Sequence, residues 1–268
     1  MIAFPNAKIN LGLNIVSKRP DGFHNLETCF YPVKIFDSLE ILHSDLFEFT
    51  HSGLESSSGE DNLVIKAHRA MQKKYGIGQV KIHLHKAIPM GAGLGGGSSD
   101  AAFTVKLLNE LFQLGLSTHE MEDIVAPIGS DCPFFINNKP VIGKEKGNVF
   151  SPINLSLDGY FGLLIFPPFG VSTKEAYSKV TPKAPLYPVQ EVIGEDIAQW
   201  KNKLHNDFED SVFEIYPMLN DIKEKLYSSG AIYACMSGSG STMFGIFTNK
   251  DQLHSVSLSG CTSFSFSF

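Results

Sequence analysis

Cysteine is scarce in this chain of 268 residues: four, at Cys29, Cys132, Cys235 and Cys261, far apart and without a CxxC pair. That spacing excludes a disulfide scaffold and a cysteine-based zinc site, and fits reduced thiols in a cytosolic protein. Long apolar runs are missing as well. The most apolar stretch, residues 160–166, stops at Pro167 and Pro168, far short of the roughly 20 residues a bilayer-spanning helix needs. The N-terminus, MIAFPNAKINLGLNIV, has no charged start, continuous apolar segment or small-residue cleavage site, so it does not read as a signal peptide. Positive charge is in deficit, with 22 Lys and Arg against 28 Asp and Glu and a net charge of −6. Nucleic-acid and anionic-membrane partners call for basic clusters, so neither is expected. A content of 43% hydrophobic and 19% charged residues excludes a chain without a core. The expectation is a soluble cytoplasmic protein.

The length allows one large or two modest domains. Strand-length segments at 2–16 and 80–88 alternate with helical stretches at 62–75, 99–114 and 118–126, which predicts a mixed α+β fold. In VKIHLHKAI, Val80, Ile82 and Leu84 share one face while Lys81, His83 and His85 share the other. One wet face predicts an antiparallel or mixed sheet. Gly143, Gly147, Pro140 and Pro152 interrupt the pattern over 137–158, which places a boundary there and divides the chain into 1–150 and 151–268. Beyond it, strands are predicted at 160–166, 232–236 and 242–247. A helix is expected from Pro217 to just before Gly230, and the alternating SFSFSF of 263–268 reads as a half-buried strand.

Glycine is what the chain has in excess, 24 of 268 residues against an average of roughly 7%. The densest cluster lies in PMGAGLGGGSSDAA, residues 89–102, between a strand and a helical segment. Glycines there let backbone N–H groups turn toward a ligand. Ser98, Ser99 and Asp100 suit the cap and first turn of the helix, and Gly115 its end. The combination makes an anion site suited to phosphates. A Walker loop needs a Lys followed by Ser or Thr, which is absent. Gly91, Gly93 and Gly96 do satisfy GxGxxG, yet a second helix with Ser117 and Glu120 as a capping box stands where a ribose-binding strand belongs.

The loop resembles the P-x-G-x-G-L-G-S-S signature of the GHMP small-molecule kinases. PNAKINL at 5–11, RPDGFHNL at 19–26, GSDCPFF at 129–135 and MSGSGSTMF at 236–244 resemble further segments of one branch of that family, in the same order. That branch acts on a cytidyl diphosphate sugar alcohol. DNLV at 61–64, Lys86, GVSTKEAY at 170–177 and NDFE at 206–209 match more weakly. The resemblance implies a two-domain α+β GHMP kinase fold. Its N-terminal ATP domain would be ribosomal-protein-S5-domain-2-like, its C-terminal domain ferredoxin-like, and its active site would lie in the interdomain cleft. It also implies ATP-dependent phosphorylation of the substrate's 2-hydroxyl in the non-mevalonate route to isoprenoids, with Mg²⁺, by a monomer or weak homodimer.

Carried over residue by residue, the resemblance implies that Asp131 accepts or orients the hydroxyl proton and that Lys8 pairs with it. A bare reading would make Asp131 a turn cap and Lys8 a snorkelling strand-edge residue. ATP falls to Asn62, Lys86, Pro89, Gly91, Gly93, Leu94, Gly95, Gly96, Gly97, Ser98 and Ser99, with a loop serine near the metal. Asn62 and Lys86 also suit a helix start and a surface position. The other substrate falls to Asn10, Phe23, His24, Asp131, Tyr177, Gly238 and Gly240. His24 would bond the cytosine, Phe23 would stack on it where Tyr is usual, and Tyr177 would cover its other face. A homoserine- or mevalonate-type kinase is the alternative within the family. A non-catalytic binding module and a nicotinamide oxidoreductase are the alternatives outside it.

Overall fold

The computed structural model describes residues 1–55, 59, 61–256 and 258–268. In chain order the first half holds β1 (Ile2–Ala3), β2 (Asn6–Lys18), β3 (His24–Phe36), β4 (Ser38–His43), β5 (Glu48–Gly53), α1 (Leu63–Tyr75), β6 (Val80–Lys86), α2 (Gly96–Leu111), α3 (Thr118–Val125) and α4 (Phe134–Asn137). Then follow β7 (Val141–Glu145), β8 (Val149–Pro152), β9 (Phe161–Phe166), α5 (Thr173–Ser178), α6 (Val189–Val192), α7 (Ile197–Lys203), α8 (Phe208–Ile215), α9 (Pro217–Ser228), β10 (Tyr233–Met236), β11 (Met243–Phe247) and β12 (Thr262–Ser267). The chain forms two compact units. One comprises Met1–Lys8, Ile35–Met90 and Gly95–Lys139; the other comprises Ile9–Lys34, Gly91–Leu94 and Pro140–Phe268.

The first unit is built on a sheet in the order β1-β4-β6-β5, parallel only between β5 and β6. Along β6, Val80, Ile82 and Leu84 are buried. On the other face the Ser52 hydroxyl sits between His83 Nε2 at 3.0 Å and His85 Nδ1 at 2.9 Å. The expected mixed sheet with one wet face is what forms. Helix α1 starts where its sequence says: Asn62 Oδ1 accepts the Val64 N–H at 2.9 Å, and Gly76 closes it in the left-handed region. Helix α3 carries the Ser117–Glu120 capping box.

The second unit holds a sheet in the order β2-β3-β7-β8 and a fully antiparallel one in the order β10-β11-β9-β12. Leu13, Ile15, Leu163, Ile165, Phe208, Val212, Leu219 and Ile222 belong to its core. Helix α9 opens on Pro217 at its first turn, as its sequence predicts.

Three expectations are corrected. The strand expected over 2–16 breaks at Phe4 and Pro5, because proline brings no N–H to a ladder. The second helix begins at Gly96, not at the Ser98–Asp100 cap, and ends at Leu111 before Gly115 is reached. Its N-cap is Gly95 at φ 69°, a conformation that glycine supplies and serine resists. The C-terminal strand does not alternate in burial: residues 262–265 are all exposed, because β12 is an edge strand on β9. Phe266 does lie over Gly162, where any Cβ would collide with its ring.

Candidate active site

In the first unit the glycine loop ends by delivering the N-terminus of α2, whose first-turn N–H groups have no intrahelical partners. Around that terminus the fold gathers the residues the sequence singled out. A Cβ on Gly95 would sit 3.2 Å from Lys8 Cε and 3.0 Å from Phe135, so Lys8 lies directly against the helix cap. The Lys8 ammonium lies 3.6 Å from Asp131 Oδ2. The lysine is almost fully buried, whereas the aspartate side chain keeps 30% exposure. Burial pulls the Lys8 ammonium below the usual lysine range, and Asp131 partly restores it.

Asp131 sits in the turn ahead of α4. Gly129 in the same turn approaches Ser98: a Cβ there would lie 3.6 Å from Ser98 Oγ and 3.1 Å from Cys132 Sγ. The Cys132 thiol is pushed up to about 12 by burial, so it stays protonated and inert. Ser99 is fully buried and its hydroxyl has no hydrogen-bond partner in the protein. A Cβ on Gly97 would touch Leu63 at 3.7 Å, which sets the Asn62-capped end of α1 beside the same turn.

Lys86 is placed differently from the surface position its sequence context allowed. It is 2% exposed, and its ammonium bonds the carboxylates of Asp37 and Asp100. Nothing in FDSLE marks Asp37 out in the sequence, because its partners lie 49–51 residues further along the chain.

The second unit carries the remaining residues. Asn10 Nδ2 donates to Thr28 Oγ1 at 3.0 Å, and the Thr28 hydroxyl donates in turn to the Gly12 carbonyl. The Asn10 N–H bonds Ser237 Oγ, which donates to the Gly93 carbonyl at 2.8 Å. Gly93 and the late glycine loop are packed backbone to backbone: a Cβ on Gly93 would collide with the Ser237 carbonyl. Gly238 and Gly240 both take positive φ, and a Cβ on Gly238 would stand 3.4 Å from Asn10 Oδ1. The NDFE segment is the strap behind this loop. Asn206 Nδ2 donates to the carbonyls of Met236 and Gly238, each at 2.8 Å, and Glu209 accepts the Met236 N–H at 2.8 Å. Sequence reading missed Thr28 and Ser237 because a lone hydroxyl in a strand or turn carries no signal of its own.

His24 and Tyr177, expected on one nucleobase, are stacked on each other with centroids 4.7 Å apart and planes 17° apart. Burial and the Lys18 charge lower the His24 pKa, so the ring is neutral at pH 7. Phe23 is 58% exposed, with Lys146 Nζ 4.8 Å from its ring centroid. A flat, partly exposed stack of two rings, one of them a neutral imidazole, suits an uncharged ring system. Pro89 precedes the glycine turn, and Leu94, between Gly93 and Gly95, is buried.

Comparison with known proteins now decides the family. Residues 62–139 match the GHMP kinases N terminal domain and residues 189–264 match the GHMP kinases C terminal domain. A protein of Cytophaga hutchinsonii named 4-diphosphocytidyl-2-C-methyl-D-erythritol kinase is 54% identical over 254 residues, covering 94% of each chain. The chain belongs to the 4-diphosphocytidyl-2-C-methyl-D-erythritol kinase family. A crystal structure of a 4-(cytidine 5'-diphospho)-2C-methyl-D-erythritol kinase superposes with a TM-score of 0.84 at 28% identity, covering 99% of this chain and 98% of the other. The Methanococcus jannaschii mevalonate kinase superposes with a TM-score of 0.73 at 14% identity, over 99% and 97%. That second likeness shows a shared fold and no more. The α+β GHMP kinase fold expected from the glycine loop is the fold observed. No helix among the described residues is long and apolar enough to cross a membrane.

For this kinase family member the geometry at Gly95 makes one outcome measurable. Gly95→Ala puts a Cβ at positive φ against both Phe135 and Lys8. The expected cost is about 1–2 kcal/mol of stability, read as a lowered urea midpoint, together with a raised KM for ATP.

Proposed function

We propose that this chain transfers the γ-phosphoryl group of ATP to the 2-hydroxyl of 4-diphosphocytidyl-2-C-methyl-D-erythritol, giving the 2-phosphate and ADP, in the non-mevalonate isoprenoid pathway. The observation that carries the reading is the Lys8–Asp131 pair lying against the N-cap of α2. Phosphoryl transfer to an alcohol needs three things in one place: a cradle for phosphates, a group for the hydroxyl proton and a cation for the developing charge. Gly95, Gly96, Gly97, Ser98 and Ser99 supply the first, Asp131 the second and Lys8 the third.

In the step itself, a free electron pair of the substrate hydroxyl attacks the γ-phosphorus while its proton passes to Asp131. The bond from phosphorus to the β,γ-bridging oxygen breaks, and ADP leaves with that electron pair. Lys8 holds the carboxylate and offsets negative charge on the transferring oxygens. The half-exposed Asp131 is open enough to meet a hydroxyl, while buried Lys8 keeps one geometry. Mg²⁺ fits this donor set as an ion carried mostly by phosphates. No group of three His, Cys, Asp or Glu side chains that could hold a metal occurs among the described residues. The unpartnered Ser99 hydroxyl is the protein oxygen available to such an ion. When bound, the ion would neutralise phosphate charge.

Specificity for the cytidyl group is assigned to His24, Phe23 and Tyr177, and the diol end to Asn10, with Gly238 and Gly240 shaping the backbone around it. Because His24 is neutral at pH 7, it can offer one donor and one acceptor to the pyrimidine edge. His24→Ala is expected to raise KM for the cytidyl substrate about tenfold with kcat nearly intact, the scale of one lost bond and stack. Steady-state kinetics checks it, and an unchanged KM removes His24 from base recognition. The reading as a whole is tested by ADP release with the cytidyl substrate, homoserine and mevalonate in parallel. Turnover is expected with the first alone; turnover with either of the others and not with the first overturns the assignment.

A further inference from the structure

Inside β2, Gly12 takes φ 68°, and a Cβ there would collide with the Leu204 side chain. A positive φ within a strand is a local break in the pleat that glycine adopts without strain. The Gly12 carbonyl accepts the hydroxyl of Thr28 in β3, and Thr28 Oγ1 receives Asn10 Nδ2 at 3.0 Å. Thr28 and Asn10 are both buried. Elementary chemistry fixes the direction of this chain of bonds. A carbonyl only accepts, so the Thr28 proton goes to Gly12. Thr28 Oγ1 is left to accept from Asn10, and the end of the amide that meets it is the NH2 group, not the oxygen. The other end of the amide follows: Oδ1 faces the late glycine loop, where a Cβ on Gly238 would stand 3.4 Å from it. The backbone on both sides is held as well. The Asn10 N–H bonds Ser237 Oγ at 3.3 Å, and Asn206 Nδ2 bonds the Gly238 carbonyl at 2.8 Å.

We propose that Thr28 is a positioning residue that aims the Asn10 amide oxygen at the substrate's diol, so that Asn10 accepts a hydroxyl proton and does not donate to a hydroxyl oxygen. This rests on the reading of Asn10 as the contact for the diol end. The amide oxygen has two lone pairs, so it takes a hydroxyl proton in addition to any bond within the protein. Without the Thr28 hydroxyl nothing distinguishes the two ends of the amide at this point, and the flipped amide turns two N–H donors toward the diol. A donor there opposes the oxygen of the hydroxyl instead of receiving its proton. Thr28 never touches the substrate and acts through Asn10 alone. Its own hydroxyl is spent on Gly12 and Asn10, both within the protein.

Steady-state kinetics of Thr28→Val, Thr28→Ser, Asn10→Ala and the double variant of Thr28→Val with Asn10→Ala test this. Valine keeps the shape of threonine and loses the hydroxyl. Thr28→Val is expected to raise KM for the cytidyl substrate about tenfold, the scale of one hydrogen bond, while KM for ATP stays within about twofold. Thr28→Ser retains the hydroxyl and should keep the wild-type KM. In the Asn10→Ala background Thr28→Val should add no further loss, because a residue that acts through Asn10 has nothing left to position. Additive losses, or a Thr28→Ser that behaves as Thr28→Val does, overturn the role of Thr28 and leave the kinase reading standing. The wild type supplies a decision even where a variant does not fold. By nuclear magnetic resonance on isotope-labelled protein, a carboxamide proton of Asn10 should be protected from solvent exchange both before and after saturation with the cytidyl substrate. Carboxamide protons that exchange freely before substrate is added overturn the inference. Wild-type protein that does not turn over the cytidyl substrate overturns the diol reading and this inference together.

Discussion

Asp131→Asn is expected to lower kcat by about a thousandfold, within the range that a positioned proton acceptor supplies, while the KM for ATP stays within about twofold. The amide keeps the size of the carboxylate and can still face Lys8 across the 3.6 Å gap. It cannot take a proton from the substrate hydroxyl. Nucleotide affinity should survive because the phosphate turn is held by Gly95, Phe135, Ile88 and the Lys86 cluster, not by Asp131. Single-turnover kinetics with preloaded ATP separates the chemical step from binding. A variant with full single-turnover rate would remove Asp131 from proton transfer and leave it the turn-capping role that its local sequence also allows. A variant that loses ATP affinity as much as turnover would make Asp131 part of the cradle instead.

What could be read in the sequence was local, and what could not was set by contacts distant along the chain. Asn62 announces its helix because an N-cap is a property of neighbouring residues, and the Ser117–Glu120 box does the same. The glycine loop announces an anion site because five glycines running into a helix have few other uses. The start of that helix departs from the expectation, since serine and aspartate are ordinary caps whereas the cap is Gly95 at positive φ, packed against Lys8 and Phe135. Lys86, expected at ATP with a surface position as its other reading, is buried between two carboxylates that lie 49 and 14 positions away and that its own stretch of sequence does not name. The edge strand β12 looked half-buried because SFSFSF alternates, but alternation states only which faces differ. The pairing of Lys8 with Asp131, 123 residues apart in sequence, came from resemblance; geometry supplies its physical ground.

Lys8→Met should cost catalysis heavily while the fold keeps or gains stability, and that divergence separates a functional lysine from a structural one. Burial lowers the Lys8 pKa below that of an unfolded lysine. The folded chain therefore binds fewer protons at this position than the unfolded chain, and the contribution of Lys8 to stability rises with pH. At neutral pH its charged form is held against desolvation, with the partly hydrated Asp131 pulling the other way. Removing the charge should raise stability by about 1 kcal/mol, as replacement of buried ion pairs by apolar groups often does. Asp131 keeps its own contact with water and is not stranded. Turnover should fall about 100- to 1,000-fold, the usual loss when one charge-stabilising donor is taken from a phosphoryl or acyl transition state. The pH profile carries the mechanistic sign. Wild-type kcat should decline on the alkaline side as Lys8 loses its proton, at a pH below that of an ordinary lysine, and this decline should be absent from the residual activity of the methionine variant. A melting temperature that drops with the activity would instead make Lys8 a packing residue of β2, with its place beside Gly95 serving the fold alone.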